Sequence, residues 1–314
     1  MITGIEKPQP VSIGDSLNAT YNTEQFTYYR RSGNGARPTL HIAIKSASTT
    51  TGNNIVSSSH DATGIMVWPA THLICQHLAS NSFNPGDCVL ELGCGCGLAG
   101  ITACLSRRST LNQWVSTDMD ERALDLCREN YAVNGISIDV ADSVAKIESL
   151  RWGDENRIAS ILHELRKRYE DNGKLFDSLV GADIVYPSTC GQVLLDLLRT
   201  VDALLKPGGT FWLSFATRDG PRTPYRLLEV ASETGFALDC FPPLDSSTAN
   251  LMPPMLDSKL LILKRSVDAR DRNAMIGYES CRIFPGMLLA LDHLDSPSSD
   301  DDWDAPPLND DTDG

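Results

Sequence analysis

No run in the chain approaches the roughly 18 consecutive apolar residues of a membrane span, although apolar residues fill 41% of its 314 positions. A membrane-spanning role is therefore not expected. Met1 to Pro10 holds no positive stretch leading into an apolar core, so no secretory signal is expected there either. Histidine is scarce, and none stands at zinc spacing from the paired Cys94 and Cys96, so no metal site is expected. The nine cysteines are odd in number and scattered through apolar segments. That usage fits reduced thiols in the cytoplasm or nucleus. Basic residues are outnumbered, 27 against 41 acidic, for a net charge of -14. Nine of the aspartates lie between Asp292 and Gly314, which leaves about -5 for the rest of the chain. A mildly acidic body lacks the basic surface that sequence-independent nucleic-acid binding needs.

What is present centres on Val89-Leu90-Glu91-Leu92-Gly93-Cys94-Gly95-Cys96-Gly97-Leu98. A short apolar run, a glycine turn and apolar residues at helical spacing (Leu98, Ile101, Leu105) predict a buried strand, a turn and a helix. Gly93, Gly95 and Gly97 let the backbone turn sharply against a ligand, with the helix N-terminus aimed at it. Alone, the motif also fits a structural turn or a dinucleotide fold. Glu91 at the strand end suits a cationic or hydroxyl-rich ligand better than a pyrophosphate. A second strand, Gln113 to Thr117, ends in Asp118, 27 residues after Glu91. A carboxylate at that strand tip is where a ribose diol is gripped. Together they favour an adenosine-type ligand without phosphate.

These residues resemble the nucleoside site of seven-stranded S-adenosylmethionine-dependent methyltransferases. Thr63-Gly-Ile-Met-Val-Trp68-Pro-Ala70 before the glycine motif and Asp183-Ile-Val-Tyr186 after it narrow the likeness. With them, residues 25 to 265 resemble the Asp-x-x-Tyr protein-lysine N-methyltransferases (methyltransferase family 16, methyltransferase-like 21 type). The resemblance implies an α/β fold: a Rossmann-like, doubly wound seven-stranded sheet closed by a C-terminal antiparallel hairpin, with an N-terminal β-hairpin extension. It implies S-adenosyl-L-methionine as cofactor, held by Trp68, Glu91, Gly93, Gly95, Gly97, Asp118, Met119, Trp152 and Ala182. Asp183 would accept hydrogen bonds from the target amine and Tyr186 would shape its channel. Trp68 also reads as a core aromatic at a helix entrance, Trp152 as core, and Asp183 as a cap for the helix from Thr189.

Along the chain, residues 1–22 are expected to be a flexible N-terminus and 23–266 the methyltransferase domain. Its β extension, 23–60, holds a hairpin of Gln25–Arg30 and Thr39–Lys45, then a loop over Ser46–Ser59. Helices are expected from Pro69, at Glu121–Val133 with a stop at Asn134-Gly135, at Asn156–Glu170 and at Thr189–Leu205. Two segments compete for the third strand, Ile136–Asp142 and Lys146–Trp152, and the second is preferred. Strand four is expected over Phe176–Val185. A tight turn at Lys206-Pro-Gly-Gly209 leads into strand five, Thr210–Ala216, with a polar landing at Thr217-Arg218. Phe236–Phe241 and Lys259–Lys264 supply the last two strands. Residues 267–314 form an extension whose Asp/Ser/Pro-rich end is expected to be disordered.

The expected function is methyl transfer to a lysine of a folded cytosolic or nuclear protein, of chaperone or translation-factor type, by a monomer. The alternatives are a same-fold methyltransferase of a small molecule or another protein nucleophile, and a non-catalytic cofactor-binding scaffold. The Asp183 motif lacks the Pro-Pro that presents carbonyl oxygens to a planar amide or base, which favours an aliphatic amine.

Overall fold

Alternation and length make the first two strands a long antiparallel hairpin, β1 (Tyr21–Ser32) and β2 (Gly35–Ala47). The register runs from Tyr21 opposite Ala47 to Ser32 opposite Gly35, with one shift at Tyr28/Tyr29. Both expected strands lie inside it. A small ladder of β3 (Thr50–Thr51) with β4 (Asn54–Ile55) and a 3-10 turn at His60–Ile65 follow in the Ser/Thr/Asn-rich stretch. The computed structural model describes residues 21–265 except 33–34, 48–49, 52–53, 56–59, 81–84, 108, 141–142, 190, 217, 220–221 and 241–257. Of the expected flexible start, 1–22, residues 1–20 lie outside the described residues, as does the C-terminal extension (267–314), while Tyr21 and Asn22 already belong to β1.

Helices and strands then alternate: α1 (Pro69–Ala79), β5 (Cys88–Leu92), α2 (Leu98–Ser106), β6 (Gln113–Asp118), α3 (Glu121–Val133), β7 (Ala145–Ser149) and α4 (Glu155–Tyr169). After them come β8 (Phe176–Ala182), α5 (Gly191–Leu204), β9 (Leu205–Ala216), α6 (Arg222–Glu233), β10 (Phe236–Cys240) and β11 (Ser258–Arg265). Local chemistry sets several of these limits. Pro69 opens α1 at a position where its missing N–H is no loss. Asp120 and Asp154 cap α3 and α4 by accepting from the N–H groups of Arg122 and Arg157. Gly135, at φ 68°, turns the chain out of α3.

Boundaries differ from the sequence reading at several points. Strand five, β9, begins at Leu205 and takes in the expected tight turn at Lys206–Gly209, and β3 and β4 fall within the expected loop over Ser46–Ser59. The third strand falls in the preferred segment but stops at Ser149, so Trp152 sits in the following turn; Ile138, in the rival segment, makes a single bridge to Ala145. Strand four ends at Ala182, three residues early, because Asp183 adopts a left-handed φ of 57°. That conformation breaks the ladder, and aspartate tolerates it better than most residues.

Seven strands form one sheet in the order β10-β11-β9-β8-β5-β6-β7. The five consecutive strands β9, β8, β5, β6 and β7 are parallel, and β11 runs antiparallel to both β9 and β10. From β5 the chain steps outward through β6 and β7, then crosses back to β8 on β5's other side. The connections therefore diverge between β5 and β8, and a crevice opens beyond their carboxyl ends. One face packs on α1, α2, α3 and the hairpin, burying Ile42, Ile44, Ile74, Ile101 and Leu124. The other packs on α4, α5 and α6, burying Ile158, Leu165, Leu194, Val201 and Leu227. Each such side chain contributes about 1.5–3 kcal/mol by leaving water. Among the described residues no helix is long and apolar enough to cross a membrane.

Candidate active site

The glycine loop follows directly from β5, all five of whose residues are buried. Gly93, Gly95 and Gly97 have φ of 63°, 50° and 83°, a region that side-chain-bearing residues avoid. The Cys94 N–H donates to the Thr117 carbonyl at 2.8 Å, tying the loop to the end of β6. There is little room behind it: a Cβ on Gly95 would lie 3.1 Å from the Gly64 carbonyl oxygen, and one on Gly93 would lie 2.6 Å from Ile184 Cγ2 and 3.9 Å from Trp152 Cζ2. Thus the Thr63–Ala70 segment, Trp152 and the residues after β8 all converge on this loop.

Asp118 ends β6 beside it. Its Oδ2 accepts the Gly95 N–H and its Oδ1 the Asp120 N–H, both at 3.0 Å. Burial pushes its carboxyl up from the ordinary range, against the pull of these backbone donors and that of Met119. A carboxylate has about four acceptor positions, so capacity remains for a hydroxyl. The neighbouring Met119 is 67% exposed, a large apolar side chain uncovered at a strand end. An acceptor-rich carboxylate next to a bare apolar wall is the pairing that ribose hydroxyls and a flat base require. The residues present therefore fit an adenosine-type cofactor.

Glu91 lies elsewhere. Its side chain points beneath α2, where Oε2 accepts from Trp114 Nε1 at 3.0 Å and from Ser116 Oγ at 2.8 Å. Ser116 in turn meets the Tyr131 hydroxyl at 2.9 Å. Burial raises the Glu91 carboxyl to about 7. This network braces β5 against β6 under the glycine loop. Polar residues inside an otherwise apolar strand were its only sequence signal.

Trp68 precedes α1 and donates from Nε1 to the Thr63 carbonyl at 2.9 Å. The Arg218 guanidinium lies 5.1 Å from its ring centroid. The same guanidinium forms a two-pronged pair with Asp183, Nη1 to Oδ1 and Nη2 to Oδ2, each 2.8 Å. Asp183 also accepts from the Ala70 N–H at 3.4 Å and the Ala216 N–H at 3.3 Å. It does cap a helix, but that helix is α1, reached across space, rather than the one after Thr189. Tyr186 follows in a half-buried turn, its N–H donating to Thr189 Oγ1 at 3.0 Å. In the sequence Arg218 is only a polar landing after strand five. Its partner became visible once β8 and β9 lay side by side, with Ala182 opposite Ser214.

A parallel-centred seven-stranded sheet with this switch-point crevice, glycine loop and strand-tip carboxylate defines the class of S-adenosylmethionine-dependent methyltransferases. A lysine methyltransferase family model matches residues 50–225, more than half of the chain, and the chain belongs to that family. Its cofactor is S-adenosylmethionine. The protein-lysine N-methyltransferase EEF2KMT of Mus musculus is 25% identical over 223 residues, covering 68% of this chain and 61% of that protein. Methyltransferase-like protein 22 of Mus musculus is 27% identical, covering 49% of this chain and 39% of that one. The ribosomal protein L11 methyltransferase of Symbiobacterium thermophilum is 26% identical, covering 46% and 37% respectively. The chain thus spans between 37% and 61% of the length of these relatives. A crystal structure of a methyltransferase from Pyrococcus furiosus aligns at 17% identity with a TM-score of 0.43, over 63% of this chain and 83% of that one.

Proposed function

We propose that the protein transfers a methyl group from S-adenosylmethionine to a lysine side chain of a folded protein, of chaperone or translation-factor type, in the cytoplasm or nucleus. One observation carries the reading: the proline-free Asp183–Tyr186 turn follows β8, next to β5 at the switch point, and converges with Trp68 and the glycine loop. Among the described residues six buried cysteines carry free thiols, which fits a reducing compartment. Two of the relatives are named for methylation of proteins, which supports a protein substrate.

The cofactor-binding set comprises Trp68, Gly93, Gly95, Gly97, Asp118, Met119, Trp152 and Ala182, with Glu91 acting from behind the loop. Asp118 grips the ribose and Met119 covers the base. When bound, the cofactor supplies an electrophilic methyl group, and the protein's main task is alignment. A lysine ammonium, with a pKa near 10.4, must also lose its proton before attack. Tyr186 walls the channel at that point, and partial desolvation of the amine helps it to shed the proton to water. Asp183 sits at the acceptor end and sets the course of the turn.

The test is incubation of a hypomethylated lysate with tritiated S-adenosylmethionine, wild type beside Tyr186→Ala, followed by mass spectrometry of labelled bands. One protein labelled at one lysine by the wild type alone is the expected result. Label confined to small metabolites would overturn the reading. Asp183→Ala is a poor inactive control, because it strands Arg218 and uncaps α1.

A further inference from the structure

The Asp183 carboxylate is committed before any substrate arrives. Its side chain is 0% exposed, and its two oxygens receive four N–H groups: two from Arg218 and one each from Ala70 and Ala216. That fills the acceptor positions of a carboxylate. Arg218 is gripped in turn, its guanidinium set against the Trp68 ring at 5.1 Å. The Trp68 indole N–H is fixed to the Thr63 carbonyl. One cation therefore ties the end of β8, the end of β9 and the entrance of α1 together beside the crevice.

We propose that Arg218 is a positioning residue of the transfer site: it reserves the Asp183 carboxylate for the scaffold, so the acceptor amine is held by neutral oxygens of the 182–186 turn. The inference rests on the lysine reading above. Two arguments support it. An ammonium is a compact charge that does not reproduce the planar fork of a guanidinium on a carboxylate. Displacing Arg218 would also leave a charge without its partner in a buried setting, which is strongly unfavourable. The second argument concerns chemistry. An anionic carboxylate within contact of the amine favours the ammonium, the form that cannot attack. A carboxylate already neutralised by Arg218 exerts no such hold. Asp183 then acts by shaping the turn, and Arg218 by keeping it in that role.

The test uses the full chain with bound S-adenosylhomocysteine, titrated with n-butylammonium by calorimetry, together with steady-state kinetics on the lysine substrate. Arg218→Gln frees the Asp183 charge, so n-butylammonium should bind at least about tenfold tighter than to wild type. KM and kcat for the lysine substrate should both fall, the amine being trapped as ammonium. The paired neutral variant Asp183→Asn/Arg218→Gln should restore probe affinity and kcat to within about threefold of wild type. If that double variant instead loses probe binding and transfer by about thirtyfold or more, the amine uses the Asp183 charge and the proposal is wrong. Equal probe affinity in wild type and Arg218→Gln overturns it as well. Should Arg218→Gln fail to fold, the double variant decides. Should wild type label no lysine, the lysine reading fails, while the two calorimetric comparisons still settle what Arg218 does.

Discussion

Gly100 lies in the first turn of α2, where its backbone conformation is ordinary. A Cβ there would nevertheless stand 2.0 Å from the Tyr131 hydroxyl oxygen, 2.6 Å from Trp114 Nε1 and 2.8 Å from Ser116 Oγ. The small residue is required by the Glu91 network rather than by the helix. Gly100→Ala should cost about 3 kcal/mol through overpacking, seen as a drop of roughly 6–12 °C in Tm. Asp118 makes the complementary case. Removing its charged acceptor with Asp118→Ala should weaken S-adenosylmethionine by about 2 kcal/mol, or roughly thirtyfold in Kd, by calorimetry. Tyr186→Ala should leave that Kd within about threefold, since Tyr186 belongs to the acceptor side. Equal losses in both variants would show that the two residues do not divide the work in this way.

At the scale of elements, amide side chains do what another strand would do. Asn130 of α3 accepts the Lys45 N–H at 2.8 Å and donates to the Lys45 carbonyl at 3.0 Å. One turn on, Asn134 repeats the pattern with Ala43, and Gln76 of α1 does so with Tyr29 on β1. The spacing works because four residues of helix rise about 6 Å, close to the advance of two residues along a strand. The hairpin is thereby clipped to the body at three points. Asn130 also donates to the Cys96 carbonyl at 3.0 Å, inside the glycine loop. Asn130→Ala should therefore cost about 3 kcal/mol from unpaired buried groups. It should speed amide exchange at Lys45 before Ala43 and weaken cofactor binding a few-fold. Unchanged exchange at Lys45 would rule out the clip. The expected hairpin was legible from alternation. Its clip was not, because asparagines on a helix read as a solvated face until a strand edge is placed beside them.

At the scale of the whole molecule, burial sets the pH response, and two trends oppose each other. His72 and His77 are pushed down to about 4 by burial. As pH falls from 6.5 towards 4, the unfolded chain gains protons that the folded one refuses, and stability is lost. Glu91 is raised from 4.5 to about 7, and burial raises Asp118 too. As pH climbs from 4.5 towards 7, the unfolded chain releases protons that the folded one keeps, so stability is lost in that direction. Each strongly shifted group accounts for about 3 kcal/mol over its window. The two histidines outweigh Glu91, so the wild type should gain stability as pH rises from 4.5 to 6.5, but less than the histidines alone would give. Glu91→Gln should steepen that rise up to about 6.5 and leave a plateau beyond, measured by denaturant unfolding across pH. A variant curve that parallels the wild type would mean that Glu91 does not keep its proton.

The sequence by itself determined the main strands and helices, the cofactor loop and the carboxylate at the tip of β6. Those features are written in contiguous stretches, where hydrophobic period, glycine spacing and a terminal acid suffice. It also placed Asp183 and Tyr186 at the carboxyl end of the fourth strand. The tertiary structure alone decided what the charged groups meet. Alternation along β5 says that Glu91 faces one side of the sheet, yet only the packed α2 and α3 make that side a dry pocket with Trp114, Ser116 and Tyr131. The Asp183 carboxylate meets Arg218 because a left-handed residue ends β8 and because β9 lies in register beside it. Sequence period fixes which face a side chain takes, whereas its partner depends on which distant segment the sheet brings alongside.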